Sequence, residues 1–337
     1  MSQLGVGLYG QNGHQIQEQL KTHPRAQLTA VAGFDPARVA AGCRVYPTLD
    51  ELLQDDRVQL VSLCAPRRRD QAADAIHCLA AGKHVYAEKP CALCEADLEA
   101  IVAAARASGC QFHEMAGTAF AQPFRAMRQL VRDGVIGTVV QVFAQKSYPY
   151  FDGRPQDEDV DGGLLCQAGV HAVRFVEHVA GVRIKDADAV ETQLGNPRPG
   201  ALRMAATLMA WLENGGVACV VVNYLNQSGL GHWGNDQLRI FGTAGMVEAV
   251  DGATRTRLIV GKEDRGPLDL SAPSQDYFDM FVASVLDGTP MPLSVDEELH
   301  PTRVVLQAKQ RAGQNAIRPQ PRAAGSRGGR PSSSRPS

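Results

Sequence analysis

A lysine at the end of an apolar strand is the residue in this chain best placed to do chemistry. His84-Val85-Tyr86-Ala87-Glu88-Lys89-Pro90 is a short apolar run that stops on a charged pair and a proline. Open α/β sheets bind ligands at the carboxyl ends of their strands, where an amine can hold a hydroxyl or carbonyl oxygen by a charge-assisted bond. Burial that lowers its pKa would also let it move a proton. Glu88 either pairs with Lys89 or turns away, since neighbours along a strand point to opposite faces. Further on, Gly162-Gly163-Leu164-Leu165-Cys166-Gln167-Ala168-Gly169-Val170-His171 brings an imidazole to a predicted helix start. There the neutral ring is favoured and can take a proton from a hydroxyl. A lone histidine is usually structural, but with Lys89 it completes an acid/base pair.

The amino-terminal residues offer a place for a hydride carrier. In Val6-Gly7-Leu8-Tyr9-Gly10-Gln11-Asn12-Gly13-His14, Gly10 falls where the first strand turns into the first helix. A residue without a side chain there lets backbone amides approach a pyrophosphate. Read as a dinucleotide fingerprint, the three glycine positions are Gly10, Asn12 and Gln15, so only the first is met, with Gly7 and Gly13 out of register. Asn12 still tolerates a left-handed turn. Asp35 ends the second strand, where a carboxylate binds ribose hydroxyls and repels a 2′-phosphate; it favours NAD over NADP, with Arg38 close by. The alternative is a turn carboxylate before Pro36. A third strand ends at Cys64-Ala65-Pro66, followed by Arg67-Arg68-Arg69-Asp70, which either receives an anionic group or is simply solvated. Gly10, Asn12, Gly13, Asp35, Pro66 and Glu88 are the candidate cofactor contacts.

These residues need a sheet to hold them. Apolar runs at 4–9, 28–34, 60–64 and 84–87, with a weaker fifth at 111–115, alternate with helical patterns at 16–23, 48–54, 70–81 and 95–108. That alternation predicts an α/β Rossmann domain with a doubly wound parallel sheet over residues 1–118. After a helix at 122–133 come β-type runs at 139–146, 202–212, 217–224, 237–241 and 258–260, interrupted by one helix at 171–179 and closed by helices at 275–286 and 301–312. Strands that follow one another in this way predict an α+β domain with an open, mainly antiparallel sheet over 119–316, the substrate and oligomerisation domain. Residues 317–337, rich in Arg, Pro, Ser and Gly, read as a disordered basic tail.

The chain has 337 residues, 44% of them hydrophobic, enough for two cores. Lys plus Arg number 34 against 36 for Asp plus Glu, so no basic excess points to nucleic acid, and a small molecule is the expected partner. Eight scattered cysteines suit a reducing compartment. Cys91 and Cys94 have metal or redox spacing but no second Cys/His pair at zinc-finger spacing, so no metal is expected. With no signal core and no run near ~20 apolar residues, no membrane association and a cytoplasmic location are expected.

Taken together, Ala65-Pro66, the stretch Ala80-Ala81-Gly82-Lys83-His84-Val85 running into Glu88-Lys89-Pro90, Asp133-Gly134-Val135-Ile136-Gly137, Gly162-Gly163 through Gly169 and His171, and Ile240-Phe241-Gly242-Thr243-Ala244-Gly245 resemble the Gfo/Idh/MocA family of oxidoreductases. The resemblance covers nearly the whole chain ahead of the tail. It implies oxidation of a sugar or polyol hydroxyl, Lys89 as catalytic lysine, His171 as acid/base histidine, a cis peptide before Pro90, and homodimer or homotetramer contacts through the open sheet. There are departures. Where the family commonly has Asp four residues before the histidine stands Gln167, which can position a substrate but cannot take a proton. Arg67 and Asp70 replace a frequent Asn and His, and Arg174 replaces a frequent acid. Lys146, Tyr148 and Tyr150 are candidate substitute contacts. Two other functions remain compatible: a redox-cycling lyase or glycoside-cleaving enzyme that uses NAD transiently, and a non-catalytic nucleotide- or sugar-sensing protein.

Overall fold

The computed structural model describes residues 3–39 and 42–316. The predicted tail, 317–337, lies outside the described residues.

Six strands, β1 (Leu4–Tyr9), β2 (Ala26–Ala32), β3 (Arg44–Tyr46), β4 (Leu60–Leu63), β5 (His84–Ala87) and β6 (Phe112–Glu114), form one sheet in the order 3-2-1-4-5-6. All its pairings are parallel. Its central strands β4 and β5 are almost wholly buried, as expected when helices cover both faces. The covering helices include α1 (Gln17–Leu20), α2 (Leu49–Leu53), α3 (Gln71–Ala80) and α4 (Glu95–Ser108). Gly109, at φ 70°, stops α4 in the left-handed conformation open to glycine. The helix expected at 16–23 shrinks to one turn because Pro24 pushes His23 away from helical backbone. The second strand ends two residues early, since Gly33 at φ 73° breaks the extended backbone. The edge strand β3 has only three residues, none of them buried, and no apolar alternation to announce it.

After α5 (Phe124–Arg132) comes an eight-stranded sheet built from β7 (Val139–Ser147), β8 (Ile184–Thr192), β9 (Ala205–Leu212), β10 (Val217–Asn223), β11 (Gln237–Gly242), β12 (Gly245–Val250), β13 (Arg255–Val260) and β14 (Glu263–Gly266), ordered 14-13-12-11-7-10-9-8. It is antiparallel except where β10 runs parallel to β7. The crossover between those two includes α6 (Glu158–Asp161) and α7 (Val170–Arg174), the latter flanked without a break by π-helical turns at Leu165–Gly169 and Phe175–Val179. Alternation along β9 buries Ala206, Leu208, Ala210 and Leu212 and leaves Met209 and Trp211 exposed. α8 (Tyr277–Asp287) and α9 (Val295–Ala316) close the chain. α9 begins six residues before the expected start and runs through Pro301. A capping box sets its start: Glu297 N donates to Ser294 Oγ at 3.2 Å while Ser294 N donates back to Glu297 Oε2 at 2.8 Å.

A buried polar tie joins the α7 helix to the end of β6. The Arg174 guanidinium, fully buried, pairs with Glu114 Oε2 and donates to Met115 O at 2.7 Å. Glu114 also accepts from Cys91 N at 2.7 Å and from Thr302 Oγ1 on α9 at 2.7 Å. Arg174, expected only as a departure from an acidic position, therefore anchors one sheet's helix to the other sheet's edge. Among the described residues, no helix is long and apolar enough to cross a membrane.

Candidate active site

The order 3-2-1-4-5-6 reverses direction between β1 and β4, and the crevice outside the carboxyl ends of the strands at such a reversal is where dinucleotides bind. Gly10 sits there at φ 70°. A Cβ on it would lie 2.1 Å from Cys64 O, so the turn after β1 closes against β4 only because the side chain is missing. Asn12 N donates to Cys64 O at 3.3 Å, and Gln15, at the third fingerprint position, ties the turn to β4 through Ser62 Oγ at 2.6 Å. Gly13 is equally constrained: at φ 132° its missing Cβ would lie 2.6 Å from the Glu88 carboxyl carbon. Pro66 faces the same turn, its carbonyl accepting from Asn12 Nδ2 at 3.3 Å. Asp35 follows β2 and is exposed, its Oδ1 accepting from Ala37 N at 3.0 Å. A switch-point crevice, a glycine cradle and a carboxylate after the second strand fit a nicotinamide dinucleotide, with Gly10, Asn12, Gly13, Asp35 and Pro66 at its edge.

Glu88 belongs to this turn more than to Lys89. Its carboxylate accepts from the His14 backbone N–H, meets His14 Nδ1 at 3.0 Å, and lies 3.7 Å from Lys89 Nζ. Burial alone would raise its pKa, but Lys89, His14 and Arg68 outweigh that and hold it at about 2.

The Lys89-Pro90 peptide is cis. Lys89 is only 2% exposed, and its Nζ donates to the backbone carbonyl of Gln167 at 2.8 Å. That carbonyl lies in the π-helical turn Leu165–Gly169, an irregularity common at functional sites. Burial lowers the lysine pKa to about 8, opposed by Glu88 and assisted by Arg68, Arg174 and Lys146. The Gln167 side chain does something else: its Oε1 accepts from Tyr224 OH at 3.3 Å.

His171 does not begin a helix. Helical backbone is already in place at Leu164, so the expected dipole at a helix start is absent at His171. Burial is what keeps the ring neutral, assisted by Lys89, Lys146, Arg174 and His14, which together push its pKa well below the usual histidine value. Thr118 Oγ1 lies 3.5 Å from its Nδ1. A cationic amine and a neutral imidazole whose neutrality the amine reinforces can polarise an oxygen and accept its proton.

Lys146 lies near the end of β7, and Tyr148 and Tyr150 follow it. Lys146 Nζ is 2.5 Å from Asp236 Oδ2 and 5.5 Å from the Tyr148 ring centroid, and the buried Tyr150 hydroxyl has no partner among the described residues. Packed against Tyr148 are residues that sequence patterns passed over. Arg154 is buried with its guanidinium 3.5 Å over the Tyr224 ring, and nothing local in the chain signals it. Tyr224 follows an alternating strand, a weak signal at best.

The three consecutive arginines divide. Arg68 is buried and donates to Asn12 O at 2.7 Å. Arg67 and Arg69 instead pair with Asp157 and Asp159, each at 2.8 Å, while Asn12 Nδ2 reaches Val160 O at 2.5 Å. The segment around α6 thus crosses the Gly10–Gly13 turn. All eight cysteines are free, with Cys91 buried and Cys94 exposed, and no group of His, Cys, Asp and Glu among the described residues could hold a metal.

Two family models match this architecture: an oxidoreductase family model with an NAD-binding Rossmann fold over residues 4–115, and the GFO/IDH/MocA C-terminal domain over residues 124–248. The chain belongs to the Gfo/Idh/MocA oxidoreductases. As a member of that family it is an NAD(P)-dependent oxidoreductase. Among similar Gfo/Idh/MocA relatives, the trans-1,2-dihydrobenzene-1,2-diol dehydrogenase of Sus scrofa is 27% identical, covering 77% of each chain. The dTDP-3,4-didehydro-2,6-dideoxy-alpha-D-glucose 3-reductase of Streptomyces antibioticus is 25% identical over 80% of this chain and 84% of its own. The aldose-aldose oxidoreductase of Caulobacter crescentus, solved with glycerol, shares the fold with TM-score 0.80 at 21% identity, over 93% of this chain and 98% of its own.

Proposed function

We propose that this oxidoreductase moves a hydride between NAD and a secondary hydroxyl or keto carbon on a sugar-like or cyclic polyol ring. The observation that carries this reading is the buried Lys89 ammonium, anchored on the Gln167 carbonyl in the same site as a neutral His171. His171 accepts the hydroxyl proton as the alcohol is oxidised, and Lys89 stabilises the oxygen as it becomes a carbonyl. Gln167 positions the substrate from its place beside Tyr224. A bound nicotinamide would supply or accept the hydride. Two of the three named relatives are a dehydrogenase of a cyclic 1,2-diol and a reductase of a 3,4-didehydro sugar, which supports a ring substrate. Glu88 fixes the Gly13-His14 turn that would face the cofactor, and the Asp35 carboxylate favours NAD over NADP.

A second copy of this chain is the expected partner for the open sheet. Val190, Met209, Trp211 and Val217 stand exposed on its outer face, with Val217 paired opposite Trp211. Eight free thiols suit a reducing cytoplasm.

Fluorescence titration with NADH and NADPH after stripping bound nucleotide, followed by a screen of sugars and cyclic diols, tests the reading. Saturable NADH binding weakened by Asp35→Ala, together with turnover of a ring alcohol, is expected; binding of neither nucleotide would overturn it. Light scattering of Trp211→Lys tests the oligomer: a loss of mass relative to wild type is expected, and an unchanged mass would place the contact elsewhere.

A further inference from the structure

A Rossmann-type turn has to meet the two negative charges of a dinucleotide's diphosphate, usually with open backbone amides at a helix start. The Gly10–Gly13 turn has little of that to offer. The amides of Gly10, Asn12 and Gly13 donate to Ala32 O at 3.0 Å, Cys64 O at 3.3 Å and Gln11 O at 3.1 Å, and the His14 amide donates to Glu88. The helix that follows, α1, has only four residues. The buried Glu88 carboxylate also lies against the turn, and with a pKa of about 2 it is ionised at neutral pH. An anion arriving here meets spent amides and a carboxylate.

Most cations around the turn are committed. Arg68, buried, donates to Asn12 O at 2.7 Å and to Gln71, Arg67 and Arg69 pair with Asp157 and Asp159, and Lys89 donates to Gln167 O. His14 differs. Its side chain is 72% exposed, its Nδ1 lies 3.0 Å from Glu88 Oε2, and its Nε2 has no partner among the described residues. A carboxylate only accepts, so Nδ1 carries a proton; Nε2 is then a bare lone pair in the neutral ring and a donor in the imidazolium. Imidazoles pass between those forms near neutral pH. The ring is turned toward the cleft: it lines a cavity of about 470 Å³ with Met115 and Gly117, which follow β6, and its charge is felt at His171. Glu18 of α1 and Asp276 line the same cavity, but Glu18 pairs with Lys21 at 2.7 Å and Asp276 accepts from Gln19 Nε2 at 2.6 Å and caps α8, so Glu88 is the carboxylate on the ring. Lys89 and Arg68 act on that same carboxylate, and His171 is neutral.

We propose that His14 supplies the positive charge for the cofactor's diphosphate, so that the protein takes up a proton from water on the His14 ring as NAD(H) binds. This rests on the NAD reading given above. The neutral ring would turn a lone pair toward a dianion, whereas the imidazolium offers an N–H and sets one positive charge between the diphosphate and Glu88. Glu88, which alone would repel the cofactor, then becomes the group that orients and holds the imidazolium through Nδ1. His14 is thus a binding residue for the cofactor, and Glu88 acts through it as a positioning residue.

Calorimetric titration of the full chain with NADH at pH 7, in two buffers of equal ionic strength and different ionisation enthalpy, counts the protons exchanged. The diphosphate is fully ionised at this pH and takes up none. Lys89, with a pKa of about 8, is already about nine-tenths protonated and can add at most about a tenth of a proton. Uptake of about a third of a proton or more per NADH is expected, with NADH affinity falling about twofold or more from pH 6.5 to 7.5 by linkage. ADP-ribose, which has the diphosphate without the nicotinamide, should show the same uptake. His14→Gln, an exposed change, should bind NADH several-fold more weakly with uptake down to about a tenth or less; His14→Arg, a fixed cation, should restore affinity to within a few-fold of wild type with no uptake. Wild-type uptake of about a tenth or less, or uptake undiminished in His14→Gln, overturns the proposal, and uptake with NADH but not with ADP-ribose overturns the role of the diphosphate. NADH binding without uptake sinks this inference alone, whereas binding of no nucleotide sinks the NAD reading with it.

Discussion

Lys89 should write its own pKa into the rate. In this scheme the protonated amine stabilises the developing carbonyl, and burial brings its pKa from the ordinary lysine value to about 8. At pH 7 about nine-tenths of the protein carries the charge and at pH 9 about one-tenth, so the hydride-transfer rate should fall roughly tenfold between them. His171, held neutral well into the acid range, adds no opposing limb above pH 6.5. Single-turnover mixing of the enzyme–NAD complex with saturating ring alcohol, followed by NADH fluorescence from pH 6.5 to 9.5, reads this directly and avoids the equilibrium shift that a released proton imposes on steady-state rates. A profile flat to pH 9.5 would mean that Lys89 is not desolvated as described. A rate that rises through pH 8 would make the neutral amine the base and remove that role from His171.

Two further consequences follow from contacts between the sheets. Arg174→Met leaves the Glu114 carboxylate buried without its guanidinium, so urea unfolding should show a loss of about 3–5 kcal/mol; a loss below about 1 kcal/mol would mean that the tie does not anchor the helix. Asp157→Asn with Asp159→Asn releases the segment that crosses the Gly10–Gly13 turn, and NADH release in stopped flow should quicken a few-fold, an effect that added salt reproduces in the wild type but not in the variant. Unchanged release at low salt would show that this segment does not retain the cofactor.

Patterns with a short period were legible in the chain and long-range ones were not. The alternation of apolar strands and helices up to residue 115 defines the parallel sheet because the covered strands are mainly apolar, as in β4, where Ser62 is the one polar residue. In the second sheet β8 escaped notice, since its exposed positions carry Lys185, Asp186 and Asp188 around small buried alanines. Lys89 could be found from its place at a strand end, whereas its partner could not, because that partner is a backbone carbonyl 78 residues away, released by an irregular helical turn. Neutrality was expected of His171 for the wrong reason: the ring owes it to burial and neighbouring cations, which only the packed structure reveals. Glu88 resisted reading because a strand-end carboxylate can turn either way, and the contact that decides it is with Gly13 and His14, far off in sequence. Pro301 pointed to a helix start, but the Ser294-to-Glu297 capping box was the better signal and stood in plain view.

The central claim is that Lys89 and His171 act on the substrate and not on the fold or the cofactor. Lys89→Met and His171→Asn, each loaded with NAD and mixed with the ring alcohol in a single turnover, test it most directly. NADH affinity within about twofold of wild type, with hydride transfer slowed by about 100-fold or more in each variant, is the predicted result; hydride transfer at the wild-type rate in either variant, with cofactor bound, would contradict it.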